Sequence, residues 1–522
     1  MKRGVILAGA AACALATCGD ATTARQGELS EQGRDASQSA AAIEVRLAAP
    51  GDVTQERLRA AVSDAQVRSF YEAQGWRPIW TAEMAAALVG TLDDAGRHGL
   101  ERSMFIGDIG EVSDAAAREA EPTKVALDYA DALANGRTDP DEIRDVYTVP
   151  WPGTAVAAGL NQAVESGHIA EWLNGLAPAD PAYRALSDAH LRFREQAARE
   201  QSRSIAGGAA IHAGESDPRV PQIAQALGAN GYIAAPSGPA DTYTEEMAAA
   251  VRRLQSDYGI AVDGIVGPDT LEVLNTGAAD RARQLAVNLE RLRWLEREPP
   301  ATRIDVNTAA AHLDYWRDGH HADRRKVVVG QPGWETPQLG SPIFRLVANP
   351  TWTVPKSIEE EEIAHQGSAY LRRNNMVRRG GWIVQLPGPG NALGEVKFDM
   401  RNNQSIYLHD TPSKQLFDRN ERHLSHGCVR VEDALGFARL IADHDGKRAQ
   451  FEEALASGDE TFVDLQSNIP VRLLYHTAFA DPQGKVIFRT DPYGWDEDVA
   501  EALGLEREAR RTARVHNSDV GP

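Results

Sequence analysis

The sequence predicts a multi-domain α+β protein, in which a helical scaffold domain and a small three-helix unit precede a mostly β domain with an inserted capping subdomain. Three observations support this prediction. Apolar residues recur at helical spacing through residues 53–204, a glycine-rich turn separates two predicted helices near residue 260, and short β-branched runs bounded by Gly, Pro and Asn begin after residue 300. A chain of 522 residues is also long enough for about three domains of ordinary size.

Residues 1–18 have the pattern of an export signal peptide. Met1–Arg3 is basic, and the apolar stretch 4–16 is shorter than the roughly 20 residues that span a bilayer. Leu15-Ala16-Thr17-Cys18 resembles a bacterial lipoprotein cleavage site, so Cys18 is predicted to carry a lipid anchor. Threonine before the cysteine keeps ordinary cleavage as an alternative. We therefore expect a periplasmic protein held at a membrane by several acyl chains, and the glycine after Cys18 favours the outer membrane.

The two segments that flank the predicted domains contain too few large apolar residues to form a hydrophobic core. Residues 19–52 are small, polar and charged, which is typical of a flexible tether, and residues 506–522 form a charged tail. The formal net charge of the whole chain is −20. Because nucleic acids are polyanions, this charge argues against a nucleic-acid partner.

The small unit at residues 217–277 contains an amphipathic helix from Thr244 to Tyr258, with Met247, Val251 and Leu254 on one face. A glycine-rich turn follows, and Pro268 suits the first turn of the next helix, which Gly267 or Asp269 could start. The spacing by itself indicates only a small helical bundle. The motif from Asp263-Gly264 to Pro268, however, resembles that of three-helix peptidoglycan-binding domains, which implies binding to cell-wall glycan.

Residues 280–300 are predicted to form a linker helix that Pro299-Pro300 ends. Its inner face would carry four leucines: Leu285, Leu289, Leu292 and Leu295. The mostly β domain is predicted at residues 301–505, with a capping insertion at about 358–400 that begins as a helix over Glu359–Arg373. Four strands are predicted from β-branched runs: Arg303–Asn307, Lys326–Gly330, Phe344–Ala348 and Ser405–His409.

Cys428 is the one cysteine outside the export signal, since Cys13 and Cys18 both lie inside it. Cysteines of exported proteins normally pair in an oxidising compartment. A lone cysteine near histidines is therefore either a nucleophile or a buried inert thiol, and the cysteine count leaves both interpretations open.

The surroundings of Cys428 favour a nucleophile. His409 ends a predicted strand 19 residues earlier, and a helix is predicted from Glu432 to about His444. A thiol reacts as thiolate, which a helix N-terminus and a nearby imidazole both favour. Gly427 lets the backbone approach closely, so that N–H groups can face a developing oxyanion.

Taken together, His409 and the run Ser425-His426-Gly427-Cys428-Val429-Arg430 resemble the active-site signature of L,D-transpeptidases with a YkuD-type catalytic domain. Three further stretches resemble the large multi-domain Gram-negative branch of that family: 348–358, 387–394 and 407–414. The order of scaffold, wall-binding unit and catalytic domain resembles it as well. The approach to Pro387, Val384-Gln385-Leu386, departs from the more basic and proline-rich pattern of the family, and this puts substrate preference in doubt.

The resemblance implies a mechanism. Cys428 would attack the carbonyl between the third and fourth residues of a tetrapeptide stem, release D-alanine and form a thioester. His409 would take the thiol proton, oriented by the backbone carbonyl of Asp410. An amine of a second stem would then resolve the thioester and form a 3→3 cross-link. No cofactor and no metal are implied, and carbapenems are expected to acylate Cys428.

The resemblance also assigns roles to the neighbours of these residues. The N–H groups of Gly427 and Cys428 would form the oxyanion hole. His426 and Ser425 would shape the loop, Arg430 would bind a substrate carboxylate, and Tyr407 and Ser425 would line the substrate site.

Three alternatives stay open at this point. His409, His423, His426 and Cys428 have the ligand types of a zinc site, although the tight pair spacings of structural zinc sites are absent and His423 is expected at the surface. The chain could instead bind peptidoglycan without catalysis. Finally, the acyl acceptor could be water or an outer-membrane protein's amine, which would make the protein a hydrolase or an attachment enzyme.

Overall fold

The computed structural model describes residues 53–106, 114–199, 204–234 and 241–505. The predicted export signal, the Cys18 anchor, the tether at 19–52 and the tail at 506–522 lie outside the described residues. Within the described ranges, no helix is both long and apolar enough to cross a membrane.

The N-terminal domain is helical, as predicted. Its α-helices are α1 (Gln55–Ala61), α2 (Ala65–Ala73), α3 (Ala82–Asp93), α4 (Ala115–Ala134), α5 (Pro140–Ile143), α6 (Val156–Ser166), α7 (Ile169–Asn174) and α8 (Pro181–Ala197). Two short 3₁₀ helices, Ala95–His98 and Arg102–Met104, follow α3. Aspartate and threonine side chains cap several of these helices; Asp114, for example, accepts the backbone N–H groups that open α4.

The three-helix unit consists of α9 (Val220–Ala229), α10 (Glu245–Tyr258) and α11 (Pro268–Leu274). Thr244 caps α10, and its apolar face is buried, as predicted from Met247, Val251 and Leu254. Pro268 is the first residue of α11 and Gly267 is its N-cap, which confirms that part of the prediction.

The linker helix α12 spans Ala278–Arg293, so the prediction that Pro299-Pro300 ends it is wrong. The helix ends at Trp294, which is buried in the scaffold domain, donates its indole N–H to the Thr138 carbonyl at 3.1 Å and packs edge-on against Tyr147. Leu285 and Leu289 are fully buried, and Leu292 and Leu295 partly so.

Charged side chains of α12 are buried as well, because the helix lies between the scaffold and the C-terminal domain. Glu290 and Arg293 are both 0% exposed and form an ion pair. Glu290 also accepts the backbone N–H and the hydroxyl of Thr138, each at 2.7 Å. On the other side of the helix, Arg291 pairs with Asp496. Tertiary contacts thus satisfy charges that a solvated helix would expose.

Buried histidines at this junction predict a loss of stability in acid. Burial, followed by the charges of Arg293 and Arg97, lowers the pKa of His98 to about 3, and burial lowers the pKa of His190 to about 4. Below about pH 6.5 the unfolded chain therefore binds protons that the folded chain does not. We expect the free energy of unfolding to fall as the pH drops from 6.5 towards 4, by up to about 1.4 kcal/mol per pH unit for each histidine.

Urea denaturation at pH 7 and pH 5 checks this expectation. The His98→Gln variant should lose less stability between the two pH values than the wild type, whereas the exposed His212→Gln control should not differ from it. Equal pH dependence of all three proteins would contradict the assignment.

The C-terminal domain contains fifteen strands in the described residues. They are β1 (Arg303–Asn307), β2 (His312–Arg317), β3 (His320–Gly330), β4 (Ile343–Ala348), β5 (Trp352–Thr353), β6 (Met376–Arg379), β7 (Trp382–Gln385), β8 (Val396–Met400), β9 (Leu408–His409), β10 (His423–Ser425), β11 (Val429–Val431), β12 (Thr461–Ile469), β13 (Val471–Leu474), β14 (Ala478–Ala480) and β15 (Val486–Phe488).

Ten of these strands form one mixed sheet in the order β12-β4-β8-β9-β11-β3-β2-β1-β13, with β10 paired to β3. One face of the sheet packs on two helices, α15 (Ala434–His444) and α16 (Arg448–Ala456). The two preceding helices belong to the insertion. The last helix is α17 (Trp495–Ala502). The predicted strand Ser405–His409 is shorter than expected, since only its last two residues pair.

The insertion begins with α13 (Lys356–Ile358), a π-helical turn (Glu359–Ile363) and α14 (Gly367–Arg373), rather than with one continuous helix. Its two strands, β6 and β7, form a three-stranded sheet with β5, which precedes the insertion, in the order β5-β7-β6. These strands were not predicted from the sequence. Gln385, at the departure from the family pattern, is buried and closes the base of the insertion through the Asn374 and Gly390 carbonyls at 3.1 and 2.9 Å.

Candidate active site

One face of the central sheet is polar, and the opposite face is core. His409 on β9 is the direct cross-strand partner of Lys397 on β8 on one side and of Arg430 on β11 on the other. Since side chains alternate along a strand, residues two places away share their face. The polar face, as we call it, consists of Lys397, Asp399, Tyr407, His409, Cys428 and Arg430. The intervening residues, such as Phe398, Leu408 and Val429, are fully buried in the core.

Cys428 lies in a tight bend between β10 and β11, both of which pair with β3. The thiol is 5% exposed and is not in a disulfide. Strand β11 follows it directly, and α15 begins only at Ala434. The helix predicted from Glu432 to about His444 is therefore present but begins two residues later, and β11 separates it from Cys428. A helix dipole, which acts within about one turn, does not account for thiolate formation.

The bend depends on Gly427, whose φ of +109° is strained for any residue with a side chain. The Gly427 carbonyl accepts the hydroxyl of Thr336 at 2.8 Å. That same hydroxyl accepts the Gly330 N–H at 2.9 Å, and the Tyr493 hydroxyl donates to the Gly330 carbonyl at 2.6 Å. Thr336 and Tyr493, which the sequence analysis missed, thus fix the nucleophile's loop to β3.

Ser425 is fully buried and shapes this loop. Its hydroxyl donates to the Cys428 carbonyl at 2.6 Å and accepts the Gly427 N–H at 3.2 Å. The Gly427 N–H is therefore already engaged, so its predicted part in an oxyanion hole requires it to leave Ser425 or to be shared between two acceptors. The burial of the Ser425 hydroxyl also argues against the predicted substrate contact.

His409 is fully buried on the polar face, and its Nδ1 donates to the backbone carbonyl of Asp410. Because a carbonyl oxygen only accepts, Nδ1 carries the proton and Nε2 of the neutral ring holds the lone pair. A general base needs this tautomer. The Asp410 carbonyl also orients the His409 ring in the way that the resemblance implied.

The side chain of Asp410 has a separate structural role. One carboxylate oxygen pairs with Lys414, and the other accepts the Glu395 N–H at 3.0 Å. Gly394 has a φ of +61°, and a Cβ added there would lie 2.2 Å from the Asp410 carboxylate. The glycine of the 387–394 motif thus allows β8 to begin next to the residue that orients His409.

Tyr407 connects the members of the polar face. The Cys428 thiol donates to the Ser405 carbonyl, with 3.8 Å between Sγ and O, and the Val429 N–H donates to the Tyr407 carbonyl at 3.1 Å, which places Tyr407 next to Cys428 across the β9–β11 pairing. The ring packs edge-on against His409, with centroids 5.7 Å apart. On the other side the Lys397 ammonium lies 4.3 Å from the ring centroid. Tyr407 thus lies between Lys397 and His409 and next to the candidate nucleophile Cys428.

The electrostatics of the site oppose a resting thiolate. Burial raises the pKa of the Cys428 thiol to about 11, against the lowering effects of Tyr407, Lys397 and Arg430. Burial also raises the pKa of the Tyr407 phenol well above its usual range, so this hydroxyl stays a hydrogen-bond donor at neutral pH. The thiol is therefore protonated at rest and needs a base at the moment of attack.

His426 does not reach towards the polar face. Its Nε2 lies 3.0 Å from a carboxylate oxygen of Glu362, in the π-helical turn of the insertion, and its ring packs edge-on against Trp334 at 5.0 Å. His426 therefore joins the nucleophile's loop to the capping insertion, which agrees with its predicted role in shaping that loop.

The remaining predicted residues are buried. Arg430 is 1% exposed on β11, and its binding of a substrate carboxylate stays a prediction. His423 is not at the surface as expected: its Nε2 lies 3.0 Å from the Thr308 carbonyl and its ring packs on Tyr493. Among the described residues, no group of three or more His, Cys, Asp or Glu side chains is arranged to hold a metal ion.

Lys397 is the main residue of the site that the sequence analysis missed. The alternation of Val396-Lys397-Phe398-Asp399-Met400 could have indicated a strand with one charged face. It did not reveal that this face is the one that carries His409, because strand order is set by pairings distant in sequence.

The site places the Cys428 thiol and the His409 imidazole at adjacent strands of one sheet, and the comparisons with known proteins identify the type of domain. Residues 301–452 match the YkuD family, described as an L,D-transpeptidase catalytic domain. Residues 65–189 match the Scaffold domain, and residues 216–274 match the family described as "Putative peptidoglycan binding domain". The chain therefore carries an L,D-transpeptidase catalytic domain of the YkuD family together with a scaffold and a peptidoglycan-binding domain.

A Haemophilus influenzae protein described as "Putative L,D-transpeptidase" is 31% identical over 241 residues, which are 42% of this chain and 49% of that protein. The chain thus spans about half the length of this curated relative. An L,D-transpeptidase structure from Stackebrandtia nassauensis is 16% identical, with a TM-score of 0.22 over 51% of this chain and 94% of that one. Another from Mycobacterium smegmatis is 10% identical, with a TM-score of 0.21 over 33% and 58%.

Proposed function

We propose that the protein is a peptidoglycan L,D-transpeptidase that forms 3→3 cross-links through a thioester on Cys428. The observation that carries the proposal is the polar face. It places Cys428, Tyr407 and His409 at the adjacent strands β11 and β9, with the rings of Tyr407 and His409 packed together and Nδ1 of His409 held by the Asp410 carbonyl. The match of residues 301–452 to the YkuD family supports the same chemistry.

The proposed reaction has two steps. In the first, the thiol proton moves to Nε2 of His409, and the Cys428 sulfur bonds to the carbonyl carbon between the third and fourth residues of a tetrapeptide stem. The C–N bond to D-alanine breaks, and the departing amine takes the proton from His409. In the second, His409 deprotonates the side-chain amine of a diamino acid on another stem, which attacks the thioester and restores the thiol.

The location follows from the substrate. Tetrapeptide stems lie in the cell envelope, and the three-helix unit would hold the catalytic domain to the glycan. We propose export to the periplasm and anchoring through Cys18, with the outer membrane favoured over the inner. Globomycin treatment of producing cells, followed by electrophoretic mobility, tests the anchor: processing that is unaffected by the inhibitor would exclude a lipoprotein.

Muropeptide chromatography on the purified protein tests the reaction. Wild-type protein with tetrapeptide donors should yield 3→3 dimers and D-alanine, whereas the Cys428→Ala variant should yield neither and should still bind peptidoglycan. Undiminished dimers from Cys428→Ala would contradict the mechanism.

The same experiment separates the alternatives. Tripeptide monomers without dimers would indicate an L,D-carboxypeptidase or endopeptidase, in which water is the acceptor. Products only on addition of an outer-membrane protein would indicate an attachment enzyme. Binding of peptidoglycan with no product from the wild type would indicate a non-catalytic binding protein.

A further inference from the structure

The buried thiol of Cys428 requires a source of stabilisation for its thiolate that the structure does not provide through a helix. Strand β11 separates the thiol from α15, so the positive end of that helix is remote. Stabilisation must come from side chains that lie nearby on the sheet.

Lys397 occupies a position that provides it. Lys397 is the direct cross-strand partner of His409, and its ammonium lies 4.3 Å from the centroid of the Tyr407 ring. Tyr407 lies next to Cys428 across the β9–β11 pairing, since the Val429 N–H donates to the Tyr407 carbonyl at 3.1 Å. A cation over a phenol ring withdraws electron density and makes the hydroxyl a better donor. The ammonium thus acts on the thiol through one intervening side chain.

The ammonium is also held in place. The Lys397 Nζ lies 2.7 Å from a carboxylate oxygen of Asp399, and the other oxygen of Asp399 accepts Nε of Arg345 at 2.6 Å. The Lys397 side chain is 25% exposed, so water screens it only in part.

Two cationic side chains of the polar face act on the thiol. Against the burial that raises the pKa of the Cys428 thiol, the charges of Lys397 and Arg430 both lower it, and Lys397 has the larger effect. The Asp399 carboxylate is shared between Lys397 and Arg345.

We propose that Lys397 is a positioning residue that holds the Tyr407 hydroxyl against Cys428 and stabilises the thiolate with its positive charge. The inference deepens the proposed function, since it concerns the same thiol, but it depends only on the reactivity of that thiol. In the step concerned, the S–H bond breaks, its electron pair stays on sulfur, and the proton passes to His409 or to solvent. Tyr407 keeps its own proton and donates a hydrogen bond to the thiolate.

Alkylation of the full-length protein by iodoacetamide, with adducts assigned to Cys428 by peptide mass spectrometry, tests the proposal. Rates are measured between pH 7 and pH 11 for the wild type, Lys397→Met, Lys397→Arg and the control Lys447→Met, which removes a lysine remote from the polar face. Loss of a nearby positive charge should raise the thiol pKa by about one unit, so Lys397→Met should react about tenfold more slowly at pH 8. The deficit should shrink as the pH approaches 11.

Lys397→Arg should keep most of the wild-type rate, and Lys447→Met all of it. The proposal is overturned if the profile of Lys397→Met superimposes on that of the wild type. It is also overturned if Lys397→Met and Lys397→Arg are slowed equally at every pH, which would indicate a steric role. Because alkylation needs no peptidoglycan, these outcomes are independent of the muropeptide assay, and failure of either one leaves the other interpretable.

Discussion

Replacing His409 by alanine is expected to slow the acylation of Cys428 about 10²–10⁴-fold, the usual contribution of a general base. The expected loss is large because burial raises the pKa of the thiol to about 11, so thiolate is scarce at neutral pH without a base. The Asp410 carbonyl fixes the ring so that Nε2 is the nitrogen that accepts the proton. The two histidines of the neighbouring loop do not replace it, since His426 pairs with Glu362 and His423 lies against the Thr308 carbonyl.

The measurement is the rate at which a carbapenem forms an adduct, followed by intact-mass spectrometry. We propose that carbapenems acylate Cys428, and the Cys428→Ala variant should form no adduct. His409→Gln provides a second test, because glutamine can still donate to the Asp410 carbonyl but cannot act as a base, and it should be as slow as His409→Ala. His320→Ala, at an exposed position of β3, is the matched control. Wild-type rates in both His409 variants would contradict the assignment of the base.

Replacing Glu290 by alanine is expected to destabilise the protein by about 3–5 kcal/mol, the usual cost of leaving a buried charge without its partner. Glu290 and Arg293 are both fully buried, and Glu290 also accepts two hydrogen bonds from Thr138. Without Glu290, the Arg293 guanidinium would keep the His98 carbonyl and the Tyr183 hydroxyl, at 2.6 and 2.9 Å, but would have no counter-charge in this pair.

Urea and thermal denaturation measure the effect. Glu290→Gln should lose less stability than Glu290→Ala, since the amide keeps the shape of the side chain and can still accept from Thr138. Glu245→Ala, which removes an exposed partner of Arg252 on α10, should change the unfolding free energy by no more than about 0.5 kcal/mol. If Glu290→Ala unfolds like Glu245→Ala, the junction between scaffold and linker helix is not held by this pair.

The predictions from sequence succeeded where one local signal determined the structure. Thr244 and Gly267 were predicted to start helices and do so, because a side-chain cap or a proline in the first turn acts within a few residues. The strand Arg303–Asn307 was predicted with its observed bounds from β-branched residues and the turn signals around it. The predictions were less successful where packing competed with local signals. Helix α12, for example, ends at the buried Trp294 and does not continue to Pro299-Pro300.

The candidate site divides in the same way. The sequence by itself was enough to predict the proposed nucleophile and the proposed base, because the spacing of His409 and Cys428 and the glycine before the cysteine are local features. The sequence also predicted that Gly427 allows a close approach of the backbone, and the structure adds that its positive φ would strain a side chain.

Only the tertiary structure decided what surrounds the thiol. It placed strand β11 between Cys428 and the expected helix, it engaged the Gly427 N–H with Ser425, and it placed Lys397 across from His409. The physical reason is that strand pairing brings together residues that are distant in sequence, and the register between strands determines which side chains share a face. The spacing of residues along the chain therefore does not indicate which residues become cross-strand neighbours.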